Sequence, residues 1–192
     1  EVMTIEHTTA PALPEGIDAA FLDEMQRSTT DVATAITLPP QLYTTPEALA
    51  FEREAIYAKE WLCVGRVERI QNPGDWFTVT ICDEPIIVVR DKQGEINAMS
   101  AVCQHRAMQV CDGEGNGTTF KCPYHHWNYA LDGRLLGAPA MERTEGFDKS
   151  EWGLPRLAVE LWQGFVFVNL DVDAAPLAPT LRERKPRVGH RG

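Results

Sequence analysis

The chain has 192 residues, of which 44% are apolar and 24% are charged, a composition that excludes a disordered chain. Its length predicts one globular domain with room for extensions. The net charge of −10 argues against nucleic acid as a partner, because phosphates would be repelled. No apolar stretch approaches the ~20 residues of a membrane helix. Because Glu1–Thr9 also lacks the features of a secretory signal, we expect a cytoplasmic protein with no membrane segment.

The first part of the chain predicts helices. Residues 1–45 are interpreted as an N-terminal extension, in which Asp18–Arg27 has the apolar spacing of a short helix. A second helix is predicted over residues 46–60, because Thr45 can cap its start and Pro46 suits its first turn.

From Trp61 onwards the chain is rich in short apolar runs that predict strands. These runs are Leu62–Val64, Trp76–Ile81, Ile86–Val89 and Phe165–Leu170. Turn residues separate the runs and no helical pattern lies between them, which favours an all-β fold, an antiparallel β-sandwich or barrel, over residues 61–172. Residues 173–192 are interpreted as a linker and tail, with the linker at Ala174–Pro179.

Two short motifs are the strongest chemical signal. Cys103-Gln104-His105 is followed, after sixteen intervening residues, by Cys122-Pro123-Tyr124-His125. One interpretation is structural zinc, held in a tetrahedron by two thiolates and two imidazoles. The other is a two-iron cluster, in which the cysteines hold one iron and the histidines hold the other. Each motif supplies one cysteine and one histidine, and this arrangement favours the cluster.

The sequence around these motifs resembles a known family. CQHRA at 103–107 and CPYHHW at 122–127 resemble the two cluster-binding loops of Rieske proteins. With GDWFTV, GFDKSEWGL and WQGFVFVNLD they resemble the N-terminal Rieske domain of ring-hydroxylating oxygenase α subunits, including choline-monooxygenase-like enzymes and aromatic dioxygenases. The resemblance covers about Pro46 to Asp171. His126 stands where this family usually has glycine, and we expect it to be a neighbour of the cluster and not a ligand.

The resemblance implies a fold, a cofactor and its ligands. The implied fold is a Rieske-type antiparallel β-sandwich with two cluster-binding loops, preceded by an N-terminal helical segment. The implied cofactor is a [2Fe–2S] cluster, with Cys103 and Cys122 on the inner iron and His105 and His125 on the outer iron. Tyr129 stands where Rieske proteins often place a phenol that is hydrogen-bonded to a ligand sulfur.

The implied function is electron transfer within a non-heme iron oxygenase. A reductase or ferredoxin would supply the electron, a mononuclear Fe(II) oxygenase domain would accept it, and family α subunits are often homotrimers. Outside the two motifs the histidines are His7, His126 and His190, too scattered for a mononuclear iron site. We therefore expect no catalytic residue and no catalytic domain in this chain, which would move electrons but hydroxylate nothing alone. The alternative is a free-standing Rieske ferredoxin-type carrier, which the N-terminal extension disfavours.

Two features of the motifs predict a low reduction potential. High-potential respiratory Rieske proteins have a disulfide between the loops, at positions where this chain has Met108 and Tyr124. They also have a serine that bonds a cluster sulfide, where this chain has Trp127, whose ring cannot form that bond in the same geometry. We expect a midpoint of about −150 to 0 mV, near the low end for Rieske centres.

Overall fold

The computed structural model describes residues 19–28, 31–141 and 143–181. The predicted extension up to residue 18 and the predicted tail from residue 182 lie outside the described residues. The chain divides into two compact units, Glu1–Lys59 and Glu60–Gly192.

The described part of the first unit is helical. Its elements are α1 (Ala19–Arg27), α2 (Gln41–Thr44), α3 (Pro46–Glu52) and a π-helical turn (Arg53–Tyr57). Within the described ranges of the whole chain, every helix falls short of the length and apolar content that crossing a bilayer requires.

Helix α3 begins where the sequence predicts, but the helical segment ends earlier. The Thr45 hydroxyl oxygen accepts a hydrogen bond from the Ala48 N–H at 3.4 Å. The segment ends at Tyr57 and not at residue 60. The Ala58 N–H donates to a carbonyl oxygen five residues back, and the next N–H donates to one only three residues back. This tight turn ends the helix before the first strand begins.

The second unit contains two antiparallel sheets, as the predicted all-β fold requires. The strands are β1 (Leu62–Arg66), β2 (Asp75–Ile81), β3 (Glu84–Arg90), β4 (Ile96–Ser100), β5 (Glu114–Asn116), β6 (Phe120–Lys121), β7 (Asn128–Tyr129), β8 (Leu135–Gly137), β9 (Arg156–Trp162) and β10 (Phe165–Asn169). The larger sheet has the order β1–β10–β9–β4–β3–β2–β5, and the smaller sheet has the order β6–β7–β8. Short 3₁₀ turns lie at Val67–Ile70 and Lys149–Glu151.

Strand β3 divides the hydrophobic core in two. Ile87 and Val89 face a cluster of buried side chains beneath the smaller sheet, whereas Val88 faces a second cluster that includes Val166 and Val168 of β10. Alternate residues of a strand point to opposite faces, so a strand that is apolar on both faces lies between two cores. The first of these two cores supports the two motifs.

Strands β4 and β9 are not predicted from the sequence. Strand β4 contains buried Asn97 and Ser100, and such polar residues weaken the strand pattern. Both are hydrogen-bonded in the fold: Arg156 of β9 donates to the Asn97 side chain at 3.0 Å, and Ser100 donates to Glu84 at 2.5 Å. Partners that are distant in sequence therefore make polar residues acceptable in this strand.

Two segments without a predicted helix or strand are ordered. The glycine-rich stretch at residues 113–117 contains β5, in which Gly115 pairs with Trp76 of β2. A Cβ atom there would lie 2.9 Å from the Trp76 ring, so glycine allows close approach as well as turning. The predicted linker runs into helix α4 (Leu177–Leu181) and is held to the β unit. Ala175 accepts a hydrogen bond from the Trp61 indole at 2.8 Å, and the Leu177 N–H donates to Glu160.

Candidate metal centre

The two motifs form loops with the same backbone structure, here named loop 1 (residues 103–108) and loop 2 (residues 122–127). In each loop the N–H of the first residue donates to the carbonyl oxygen of the sixth, and the N–H of the fifth donates to the carbonyl oxygen of the first. The N···O distances are 2.9 and 3.0 Å in loop 1 (Cys103, Ala107, Met108) and 2.8 and 3.0 Å in loop 2 (Cys122, His126, Trp127).

The fifth residue of each loop has a left-handed backbone. Ala107 has φ +54° and His126 has φ +62°. Glycine adopts this region without the steric penalty that a Cβ atom brings. The geometry gives a physical reason why a glycine suits the His126 position. The His126 side chain is exposed.

Paired strands hold both loops at their ends. Loop 2 connects β6 to β7, where Lys121 pairs with Asn128 and Phe120 pairs with Tyr129. Loop 1 follows β4 and is closed by an antiparallel bridge between Val102 and Gln109. Both loops are therefore hairpin ends, which fixes the positions of their first residues in the core.

The two cysteines lie inside the unit and are close to each other. Cys103 is 2% exposed and Cys122 is 1% exposed. Burial raises the pKa of the Cys103 thiol, which is also close enough to Cys122 for a hydrogen bond. The Tyr129 hydroxyl lies 3.2 Å from the Cys103 sulfur and accepts a hydrogen bond from the Gln104 N–H at 3.1 Å. Its own O–H can therefore donate to that sulfur.

The rings of the two motif histidines, one from each loop, are in contact. Their ring centroids are 4.6 Å apart, with the planes at 79°. Both side chains are half-buried, yet the Nδ1 atoms of His105 and His125 are fully buried and have no hydrogen-bond partner among the described residues. Burial, followed by the nearby His125 and Arg106, lowers the pKa of His105 and favours the neutral imidazole that binds metals.

The family profile of the Rieske [2Fe-2S] domain matches residues 60–154, which include both loops. Residues 60–154 form a Rieske domain.

Relatives of this Rieske chain are oxygenase subunits. It is 36% identical over 155 residues to the carnitine monooxygenase oxygenase subunit of Acinetobacter pittii, covering 80% of this chain and 42% of the relative. It is 35% identical to the benzene 1,2-dioxygenase subunit alpha of Pseudomonas putida, covering 80% of this chain and 34% of the relative. The chain thus spans about two-fifths or less of these curated relatives.

A solved structure has the same fold as the Rieske chain. The apo form of the quaternary ammonium Rieske monooxygenase CntA superposes with a TM-score of 0.75 at 35% identity, covering 80% of this chain and 45% of that chain. The predicted Rieske-type fold is therefore confirmed, as is the resemblance to oxygenase α subunits.

A Rieske domain implies a [2Fe–2S] cluster, and the residues present fit one. The two buried thiols lie close to each other, and the two neighbouring imidazoles each have a buried, unpaired Nδ1 atom. A buried nitrogen without a partner is costly, so both Nδ1 atoms need a ligand that none of the described residues supplies. In the described part of the chain, no three His, Cys, Asp or Glu side chains form a group for a single metal ion.

Different aromatic rings cover the two histidines. The Trp127 indole lies flat against His105, with centroids 4.8 Å apart and planes at 10°. Tyr124 covers His125 at 4.1 Å and is 58% exposed. The Trp127 contact is not predictable from the sequence pattern, because the stacked residues belong to different loops.

The other three cysteines have no role in this geometry. Cys63, Cys82 and Cys111 form no disulfide bond among the described residues. Burial raises the pKa of Cys111 to about 12, so this thiol stays protonated, and it packs against the core. Cys111 is near the loops in sequence and behaves as an apolar side chain.

Proposed function

We propose that the chain transfers single electrons through a [2Fe–2S] cluster held by Cys103, His105, Cys122 and His125. The observation that carries this proposal is the pairing of two equivalent loops, each with one buried thiol and one imidazole whose buried Nδ1 is unpaired. The cysteines would hold the inner iron and the histidines the outer iron. When bound, the cluster supplies a site that gains and loses one electron.

The residues around the ligands control water and charge. The Cys103 and Cys122 sulfurs are shielded from water by the core, which includes Trp127 and Tyr129. The Tyr129 hydroxyl, with the Gln104 N–H already bonded to its oxygen, holds a proton toward the Cys103 sulfur. The imidazoles of His105 and His125 are the ligands that extend to the surface, because both are half-exposed. An electron would therefore enter or leave along their outward edges.

The wider role we propose is the Rieske part of a non-heme iron oxygenase α subunit. It rests on the relatives, which are oxygenase subunits for carnitine and for benzene. A reductase or ferredoxin would donate the electron, and a mononuclear Fe(II) domain would accept it. A homotrimer in the cytoplasm belongs to the same proposal. The substrate class would be quaternary amines or aromatics, as in these relatives.

The test is to purify the chain and measure its iron, acid-labile sulfide and spectrum. We expect two irons and two sulfides for each chain, a red-brown colour, and a reduced form with a Rieske-type electron paramagnetic resonance (EPR) signal. A chemical reductant should add one electron per cluster, and oxygen should remove it. A colourless protein with one zinc per chain would contradict the proposal and support a structural zinc site.

A further inference from the structure

The Trp127 indole contains a buried hydrogen-bond donor that has no acceptor among the described residues. Trp127 is 1% exposed, and its Nε1 has no partner within the part of the chain that the structure describes. A buried N–H left unpaired costs about 1–3 kcal/mol, and more than nine in ten buried polar groups in folded proteins are paired. We therefore expect this N–H to have an acceptor that is not one of the described residues.

The unpaired nitrogens are concentrated at one place. Across residues 19–28, 31–141 and 143–181, the buried side-chain nitrogens that lack a partner are His105 Nδ1, His125 Nδ1 and Trp127 Nε1. All three belong to loops 1 and 2. The two imidazole nitrogens fit iron, which accepts their lone pairs. The indole nitrogen has no lone pair to offer and can only donate, so it fits a sulfur.

The indole is held in place from several sides. The Trp127 carbonyl oxygen accepts the Cys122 N–H at 2.8 Å, which ties the residue to loop 2. Its ring lies flat on His105 of loop 1, and the rings of Phe147 and Trp152 contact it edge-on at 5.7 and 5.8 Å. The ring thus lies between the two loops and is hindered from turning its N–H to solvent.

We infer that the Trp127 indole N–H donates a hydrogen bond to a sulfur of the [2Fe–2S] cluster, from the edge of its ring and so in a different geometry from a serine hydroxyl at this position, an inference that rests on the proposed function. Trp127 is then a positioning residue with two roles. Its ring orients His105, and its N–H stabilises negative charge on sulfur. Because the reduced cluster is more negative, the bond stabilises the reduced form more than the oxidised form.

The test distinguishes the contribution of the aromatic ring of Trp127 from that of its N–H. Trp127→Phe keeps an aromatic ring beside His105 and removes the donor, while Trp152→Phe removes a neighbouring indole as a matched control. We expect Trp127→Phe to lower the equilibrium constant for reduction about tenfold, or ~59 mV for one electron, and Trp152→Phe to leave it unchanged.

A second measurement does not depend on a variant's folding. With indole-¹⁵N tryptophan in the full chain, pulsed EPR of the reduced cluster should show a weak ¹⁵N coupling. That coupling should persist in Trp152→Phe and disappear in Trp127→Phe. If Trp127→Phe fails to hold a cluster, the ¹⁵N coupling in the wild-type protein decides by itself whether the indole lies at the cluster.

Three results would overturn the inference. The first is an unchanged potential in Trp127→Phe, and the second is the absence of the ¹⁵N coupling in a wild-type protein that holds the cluster. The third concerns Asn128, whose buried Oδ1 lacks a partner within the described ranges. If Asn128→Ala lowers the midpoint as much as Trp127→Phe does, the effect of the indole runs through that oxygen and not through a sulfur. A wild-type chain that holds no cluster would instead refute the proposed function and remove the acceptor.

Discussion

In loop 1 the His105 ring lies against the buried indole of Trp127, whereas in loop 2 the His125 ring lies under the exposed ring of Tyr124. Tyr129 approaches the sulfur of Cys103. The backbones of the loops are nevertheless closed by the same two hydrogen bonds. The comparison teaches that a repeated backbone can present one cysteine and one histidine from each loop, while unequal surroundings give each of these four side chains its own environment.

The largest expected effect is the loss of the cluster when one proposed ligand is removed from either loop. Alanine in place of any one of the four proposed ligands, Cys103, His105, Cys122 or His125, should abolish cluster binding, because each iron would lose one of its two protein ligands. Iron content and visible absorption measure this. The exposed His126 is the matched control, and His126→Ala should retain the cluster. Loss of the cluster in His126→Ala, with His125→Ala unaffected, would reverse the assignment in loop 2.

The next effect concerns the absolute midpoint potential. Because Met108 and Tyr124 stand where a disulfide would shield a high-potential centre, the wild-type midpoint should lie at about −150 to 0 mV. A redox titration at neutral pH checks this value. A midpoint well above +100 mV would show that the missing disulfide does not lower the potential here.

The unequal environments of the two thiols can be tested at Tyr129. Tyr129→Phe removes the hydroxyl near Cys103 and should lower the midpoint by about 50 mV, on the scale of ~59 mV for each tenfold change in a one-electron equilibrium. The reason is that the lost donor stabilises the reduced cluster more than the oxidised one. Tyr124→Phe is the control, since that ring covers His125 and should leave the midpoint within experimental error. Equal shifts in both variants would disprove a specific role for the Tyr129 hydroxyl.

The smallest expected effect concerns the left-handed residue in each loop. His126→Gly should raise the free energy of unfolding by about 0.5 kcal/mol, because relief of roughly 1–2 kcal/mol of backbone strain exceeds glycine's ~0.5–1 kcal/mol entropy cost. Ala107→Gly, at the equivalent position, should act in the same direction. Urea titration of both cluster-loaded variants measures the change. Destabilisation by His126→Gly would mean that the imidazole makes contacts that outweigh its strain.

The β fold and the Rieske family could be recognised from the sequence because both depend on short, contiguous residue patterns. Apolar runs gave strands such as β2 and β3, and the spacing of Cys and His marked both loops. The sequence did not reveal β4, whose buried Asn97 and Ser100 depend on distant partners such as Arg156 of β9. It also did not reveal the stacking of Trp127 on His105, which exists only when the two loops come together. The four-ligand assignment stays a prediction until the metal content of variants is measured.

The burial of Cys103 and Cys122 has a consequence for how the protein matures. Both thiols are members of the same hydrophobic core as Phe120 and Leu154, which separates them from water in the folded unit. Under the proposed ligand assignment, iron and sulfide would have to reach them during folding or through local opening of the loops. Insertion of a cluster into the already folded chain would then be slower than insertion during folding.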